Sequence, residues 1–276
     1  MDIDVALVLR LVATQFPQYS GLPISAVKPG GNDNHTFRVG AELSARLPSA
    51  AGYVPAVEKE HRWLPELARE LSVAIPVPVG LGAPGVGYPW LWSLNRWLPG
   101  ADLLGGDDVD RTRLAASVGQ FLAELHGIDG RDGPPAGEPS FYRGASLMHY
   151  DDEARSVLRT PGETAIWEAA TASHWNGPAV WFHGDLAPGN ILIQDGRLSA
   201  VIDWGTSGVG DPACDLTLAW TYFDLRERHV FAAEVAVDAD TWSRARGWAL
   251  WKALITGGPE SDRVVREILS DPVVEQ

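Results

Sequence analysis

Two short apolar runs, residues 191–193 (Ile-Leu-Ile) and 198–202 (Leu-Ser-Ala-Val-Ile), flank a turn at Gly196-Arg197, and this pairing constrains the chain more than any other feature. Runs of this length bracketing a glycine turn read as the two strands of a hairpin. The first is preceded by His183-Gly184-Asp185-Leu186-Ala187-Pro188-Gly189-Asn190, and the second runs into Asp203-Trp204-Gly205. Because a hairpin folds back on itself, Asn190 and Asp203 are expected toward the same end of it. A hard cation such as Mg2+ takes a few oxygen ligands together with phosphate oxygens, and an amide and a carboxylate supply them. Asp185, five residues before Asn190, is then within reach of a substrate hydroxyl beside the metal. Phosphoryl transfer asks for such a base or positioning group next to metal-bridged phosphates.

Taken singly, His-Gly-Asp and Asp-Trp-Gly are ordinary loop sequences, since Asp and Gly favour turns. The joint pattern, completed by Gly210-Asp211-Pro212, is far more specific. Asp211-Pro212 also has the form of a helix start, with Asp as N-cap and Pro at the first helical position.

The bulk properties narrow the classes. A chain of 276 residues holds one large domain or two modest ones sharing a cleft. A net charge of −14 argues against a nucleic-acid partner, which calls for a basic face. The same acidity repels phosphates, so a nucleotide site needs local cations or bound metal. The single cysteine, Cys214, excludes an internal disulfide and a cysteine-based zinc site. The first residues lack the basic start and apolar core of a signal peptide, and no apolar run approaches the roughly 20 residues that cross a bilayer. A cytoplasmic protein without membrane contact is the expectation, as a monomer or dimer.

Along the chain, the pattern predicts a helix over 4–16, strands at 24–28, 36–39 and 43–47, a helix over 58–71 ended by Pro76 and Pro78, and a strand over 90–97 closed by Pro99-Gly100. A helix capped by Asp107 or Asp108 follows, with Val109, Leu114, Val118, Phe121, Leu122 and Leu125 on its apolar face. Residues 129–146 read as a loop. Further helices are expected over 163–175, 211–222, 226–235, 241–255 and 261–269, with a short strand at 180–182. Strands around one helix and then mostly helices describe an α+β protein. The expected division is a small mixed, β-rich lobe over 1–98 and a larger, mainly helical lobe over 99–276.

With these motifs in place, the sequence resembles the aminoglycoside phosphotransferase family, the antibiotic and small-alcohol branch of the protein-kinase-like fold. The resemblance is strongest over 181–220 and extends more loosely along nearly the whole chain. It implies a two-lobed kinase-like fold with a nucleotide-binding N-lobe, a hinge at about 93–100, and a C-lobe for catalysis and substrate. By resemblance, Asp185 orients the substrate hydroxyl and accepts its proton, Asn190 and Asp203 hold Mg2+, Asp215 braces the catalytic loop through its backbone, and His183 supports that loop. The family's basic residue on the third strand and its partner glutamate on the next helix fall on Arg46 and Glu60. Lysine is commoner at that strand position, and Lys59 is the alternative phosphate contact. Backbone N–H groups from Gly30 to Asn34 can cover phosphates, and the backbone of Leu94, Asn95 and Arg96 is expected to meet the purine of ATP or GTP.

Between Gly205 and Gly210 there are only Thr206, Ser207, Gly208 and Val209. That is too short for a segment that docks a peptide, so the acceptor is expected to be a small molecule, with a cationic compound among the options. Asp211 reads as a helix cap first and a substrate contact second, while Asp224 and Glu227 are candidates for an acidic substrate pocket. The leading reading is phosphorylation of a hydroxyl on an aminoglycoside or another antibiotic. The alternatives are a metabolic kinase of a small alcohol or sugar, and a nucleotide-binding module without turnover.

Overall fold

The structure, a computed structural model, describes residues 2–28, 30–31, 33–105 and 109–271. They form two compact units. The first contains the described residues up to Arg69, Ala74–Pro99 and Ala200–Gly205; the second contains Glu70–Val73, the described residues of Gly100–Ser199, and those from Thr206 onward.

In the first unit, α1 (Val5–Gln15) starts at Asp4, whose carboxylate accepts from the N–H of Leu7 at 2.8 Å. Its buried residues, Leu7, Val8, Leu11 and Val12, recur at helical spacing and make one apolar stripe. Strands β1 (Ile24–Ala26), β2 (Asn34–Val39) and β3 (Leu43–Pro48) precede α2 (Val54–Glu70), and β4 (Pro78–Gly82) and β5 (Trp92–Arg96) complete an antiparallel sheet of order β1-β2-β3-β5-β4. Strand alternation sorts its faces. Leu43, Ala45 and Leu47 of β3 and Trp92 and Leu94 of β5 join α1 in the core. Ser44 and Arg46, paired across the ladder with Asn95 and Ser93, therefore belong to the opposite face.

The second unit opens with β6 (Ala101–Asp102) and α3 (Arg111–Gly127), then α4 (Asp151–Val157), α5 (Pro161–Ala172) and β7 (Val180–Phe182). Next come β8 (Ile191–Gln194), β9 (Arg197–Val201), whose last two residues count with the first unit, and β10 (Gly208–Gly210). Helices α6 (Leu218–Thr221), α7 (Leu225–Val235), α8 (Ala239–Thr256) and α9 (Pro259–Ser270) follow. Strands β6, β8 and β9 form one small sheet, while β7 and β10 pair as an antiparallel ribbon.

The mixed α+β architecture agrees with the sequence. Four elements escaped it: β4, β6, β10 and α4. In β4, Pro-Val-Gly-Leu-Gly lacks every local mark of a strand, and an edge position is where such a strand is tolerated. Gly82 is required there because a Cβ would come within 2.0 Å of the Trp92 ring. The hairpin turn also moves by one residue, to Asp195 and Gly196, both at positive φ as a two-residue hairpin demands. Asp107 and Asp108, expected as helix caps, lie outside the described residues, as do Pro29 and Asn32 of the first turn; α3 is capped by Asp110, which accepts from the N–H of Arg113.

Candidate active site

The loop after β7 is held from below by a buried carboxylate. Asp215, fully buried in a 3-10 turn (Pro212–Thr217), accepts from the backbone N–H of His183 at 2.9 Å and of Gly184 at 2.6 Å. His126 adds a contact to the same carboxylate at 3.4 Å. Gly184 takes φ +85°, and a Cβ there would fall 2.8 Å from the carbonyl oxygen of Thr206, so the turn admits only glycine. His183 is buried, and its Nδ1 accepts from the N–H of Asp185 at 3.2 Å. Asn190 closes the loop, its amide donating to the Asp185 carbonyl at 2.9 Å. With Nδ2 so committed, Oδ1 is the atom left for other work. The segment 206–210 is equally tied down, since β10 pairs with β7 through Gly208 opposite Phe182.

The Asp185 side chain projects from this frame and meets Lys252 of α8 at 2.5 Å. Burial pushes its carboxyl up, but Lys252, followed by His183 and Arg143, more than offsets this and holds it below the usual aspartate range. Asp185 is thus ionised at neutral pH and is a weak base.

In the first unit, Arg46 reaches two carboxylates. Its Nη1 lies 3.3 Å from Glu60 on α2, and its Nη2 lies 2.6 Å from Asp203. Burial works against the guanidinium charge, yet Glu60 and Asp203 together raise its pKa above the ordinary arginine value. Glu60 is pushed up by burial, with Arg46 pulling the other way. Asp203 adopts φ +66°, unusual for a residue with a side chain, and keeps 39% of its side chain exposed. Lys59 points elsewhere: its ammonium donates to the Gly205 carbonyl at 2.6 Å, and burial lowers its pKa to about 8.

Three sets of candidate residues have partners of their own in the structure. Asp211 caps its 3-10 turn through the N–H of Ala213, but its carboxylate is also buried against Arg244 at 2.7 Å, which leaves nothing for a substrate. Glu227 is buried and bound by Arg111 at 2.8 Å, and Asp224 caps α7 in a reciprocal capping box with Glu227. Leu94, Asn95 and Arg96, expected at the purine, pair within the sheet. Leu94 and Asn95 are buried inside β5 with strands on both sides, and the N–H groups of Arg96 and Trp97 go to Val77 and Glu42. Asn34 begins β2, opposite Pro48. Lys252 and Arg143 beside Asp185 left no local mark in the sequence, because both come from elements far along the chain.

An antiparallel sheet presenting an arginine to a helix glutamate, and a helical unit carrying a braced His-Gly-Asp loop, describe a phosphotransferase of the protein-kinase-like fold. Solved structures agree on the fold. The apoenzyme of macrolide 2'-phosphotransferase MphH from Brachybacterium faecium superposes over 100% of both chains with TM-score 0.69 at 24% identity. The GDP complex of wild-type aminoglycoside 2'-phosphotransferase-IIIa does so over 96% of this chain and 97% of that one, with TM-score 0.70 at 18% identity. The chain belongs to the phosphotransferase enzyme family, whose sequence profile matches residues 26–248. Among curated proteins, YcbJ of Bacillus subtilis (strain 168) is 31% identical over 168 residues, 56% of this chain, and the match spans 50% of YcbJ's own length. The aminoglycoside 3'-phosphotransferase of Streptomyces fradiae is 24% identical over 213 residues, 73% of this chain and 72% of that protein.

Proposed function

We propose that this chain transfers the γ-phosphoryl group of ATP or GTP to a hydroxyl of a small molecule, with Mg2+ as cofactor. The observation that carries this reading is the ionised Asp185 side chain on a loop whose backbone is pinned by Asp215. In the reaction the acceptor oxygen bonds to the γ-phosphorus, the bond to the nucleoside diphosphate oxygen breaks, and the hydroxyl proton passes to Asp185. A weak base suits a transition state in which bonding to the attacking oxygen is slight and the proton leaves late.

The donors for a metal fit a hard cation: the free Oδ1 of Asn190 and the carboxylate of Asp203 are both oxygen. Mg2+ held by them would neutralise phosphate charge during transfer. Arg46, fixed by Glu60, would hold nucleotide phosphates through the planar fork of its guanidinium, with the backbone at Gly30, Gly31 and Asn34 closing over them. Residues 1–98 would serve the nucleotide and 99–276 the acceptor, the purine meeting the backbone near Leu94, Asn95 and Arg96. Antibiotic phosphotransferases among the relatives make antibiotics a reasonable first panel of acceptors. Among the described residues no helix is long and apolar enough to cross a membrane.

The test is nucleotide turnover with Mg2+ across antibiotics and small alcohols. Asp185→Ala should lower turnover by roughly 10²–10⁴-fold with nucleotide affinity nearly intact, and Asp203→Ala should weaken the Mg2+-dependent part of nucleotide binding in calorimetry. Undiminished turnover in the first variant removes Asp185 from the chemistry.

A further inference from the structure

The surroundings of Asp185 carry positive charge where an acceptor with several ammonium groups calls for negative charge. Lys252 contacts Asp185 and still has 36% of its side chain exposed. Arg143 packs against the loop itself, its Cβ 3.1 Å from where a Cβ on Gly184 would lie, and it contributes to the charge felt by Asp185. Its guanidinium lies 4.8 Å from the ring centre of Trp251 and 5.3 Å from that of Trp248. Its Nη1 is buried with no hydrogen-bond partner, and no carboxylate is within ion-pair distance among the described residues. A buried donor left unpaired is costly, and a guanidinium without a counter-ion more so.

The rings beside Arg143 belong to the core, Trp248 and Trp251 being 2% and 3% exposed. Trp248, Trp251, Lys252 and Ile255 fall on one face of α8, at the spacing that aligns side chains along a helix. Tyr150 stacks on Trp251 with ring centres 4.2 Å apart, and Ile255 is 40% exposed. Three acids of this unit are engaged: Asp211 with Arg244, Glu227 with Arg111, and Glu153 with the indole N–H of Trp251 at 2.8 Å.

We propose that Lys252 and Arg143 form an anion-recognising pair beside Asp185, so that the acceptor is an alcohol bearing a carboxylate and not a polyammonium compound. The inference rests on the reading of Asp185 as the group that addresses the acceptor hydroxyl. The carboxylate would take the free donor directions of Lys252, with the Arg143 charge behind it, and the rest of the acceptor would lie along Ile255. Charge-assisted hydrogen bonds to a carboxylate are the stronger kind.

The experiment uses the full chain with 4-(hydroxymethyl)benzoate, its methyl ester and kanamycin, measuring binding by titration calorimetry and nucleotide turnover with Mg2+. The acid should bind at least about tenfold more tightly than the ester, the scale of one charge-assisted hydrogen bond. Lys252→Gln and Arg143→Gln should each abolish the preference, while Lys252→Arg, which keeps the charge and guards against a folding artefact, should retain it. Equal binding of acid and ester, or binding of neither, overturns the proposal. Asp185-dependent turnover of kanamycin also overturns it while leaving the phosphotransferase reading intact. A charge-dependent preference for the acid with no nucleotide turnover on any compound supports the anion pair and counts against the phosphotransferase.

Discussion

Arg46 is the electrostatic centre of the first unit, and its removal has a calculable cost. Its two carboxylate partners differ in what they can recover. Asp203 retains 39% side-chain exposure and can be rehydrated, but Glu60 is only 6% exposed, and Arg46 donates to both of its carboxylate oxygens. In Arg46→Met the penalty therefore falls on Glu60. Breaking a buried ion pair from one side costs about 3–5 kcal/mol. The long 3.3 Å contact places this pair near the lower end, about 3 kcal/mol, against a typical total stability of about 5–15 kcal/mol. The pH dependence follows from the direction of the Glu60 shift. Burial already raises its carboxyl, and losing Arg46 removes the larger of the two cations that pull it down, Lys59 being the other. Between the ordinary glutamate value and that raised value the folded state binds the proton and the unfolded state does not, so the variant loses stability as pH rises and regains it as pH falls. Urea unfolding at pH 7.5 and pH 5 measures this directly, with a larger deficit at the higher pH. The double variant Arg46→Met/Glu60→Leu, which removes both charges, should return to within about 1 kcal/mol of the native chain. A deficit under about 1 kcal/mol in the single variant, or a double variant no more stable than the single, would refute the assignment of the cost to an unpaired Glu60.

Two other perturbations probe the frame around the site. Asp215→Asn keeps the shape but turns an NH2 toward one of the two backbone N–H groups, orphaning a buried donor at a cost of about 1–3 kcal/mol. Its kcat should fall more than its nucleotide KM changes, and unchanged kcat would show that the loop holds its form without the carboxylate. Lys59 makes a prediction of opposite sign to Glu60. Its folded pKa, lowered to about 8, means that between pH 8 and its ordinary value the unfolded chain keeps a proton the folded chain has lost, so stability rises with pH in that window. From pH 8 to 9.5 the wild type should gain up to about 2 kcal/mol relative to Lys59→Met in urea unfolding, and parallel pH profiles for the two proteins would dismiss the buried ammonium.

The parts of this molecule that could be read from its sequence are those whose chemistry is local. The loop 183–190 compresses a glycine at positive φ, a carboxylate and a closing asparagine into eight residues, and each leaves its residue type as a mark. The alternation Leu43, Ala45, Leu47 fixes which face Arg46 joins without knowledge of any partner. Strand β4 was hidden because its ladder is set by β5 and its glycine by a Trp92 ring, neither of which is encoded nearby. Helix α4 was hidden because, of its seven residues, Ala154 alone is buried and its first turn is acidic, so it carries no apolar stripe. Lys252 and Arg143 acquire meaning only when folding brings them to Asp185, across 67 residues in the case of the lysine. No window of sequence contains that relation.

The charge count illustrates how an average can mislead about a site. A net charge of −14 with several acids after residue 221 suggested a negative substrate pocket. Folding assigns those acids to particular tasks. Asp224 and Asp238 cap helices, where a carboxylate satisfies N–H groups that have no intrahelical partner. Asp211 and Glu227 neutralise buried arginines that would otherwise be costly to desolvate. A carboxylate so committed contributes little field to its surroundings, since its partner's charge lies within a few ångströms. The charge that acts most on Asp185 is that of Lys252, in contact with it, and Arg143, held between aromatic rings and without an ion-pair partner among the described residues, adds to it. An acidic protein can in this way present a cationic face to a small ligand, and which face it presents depends on pairing and not on composition.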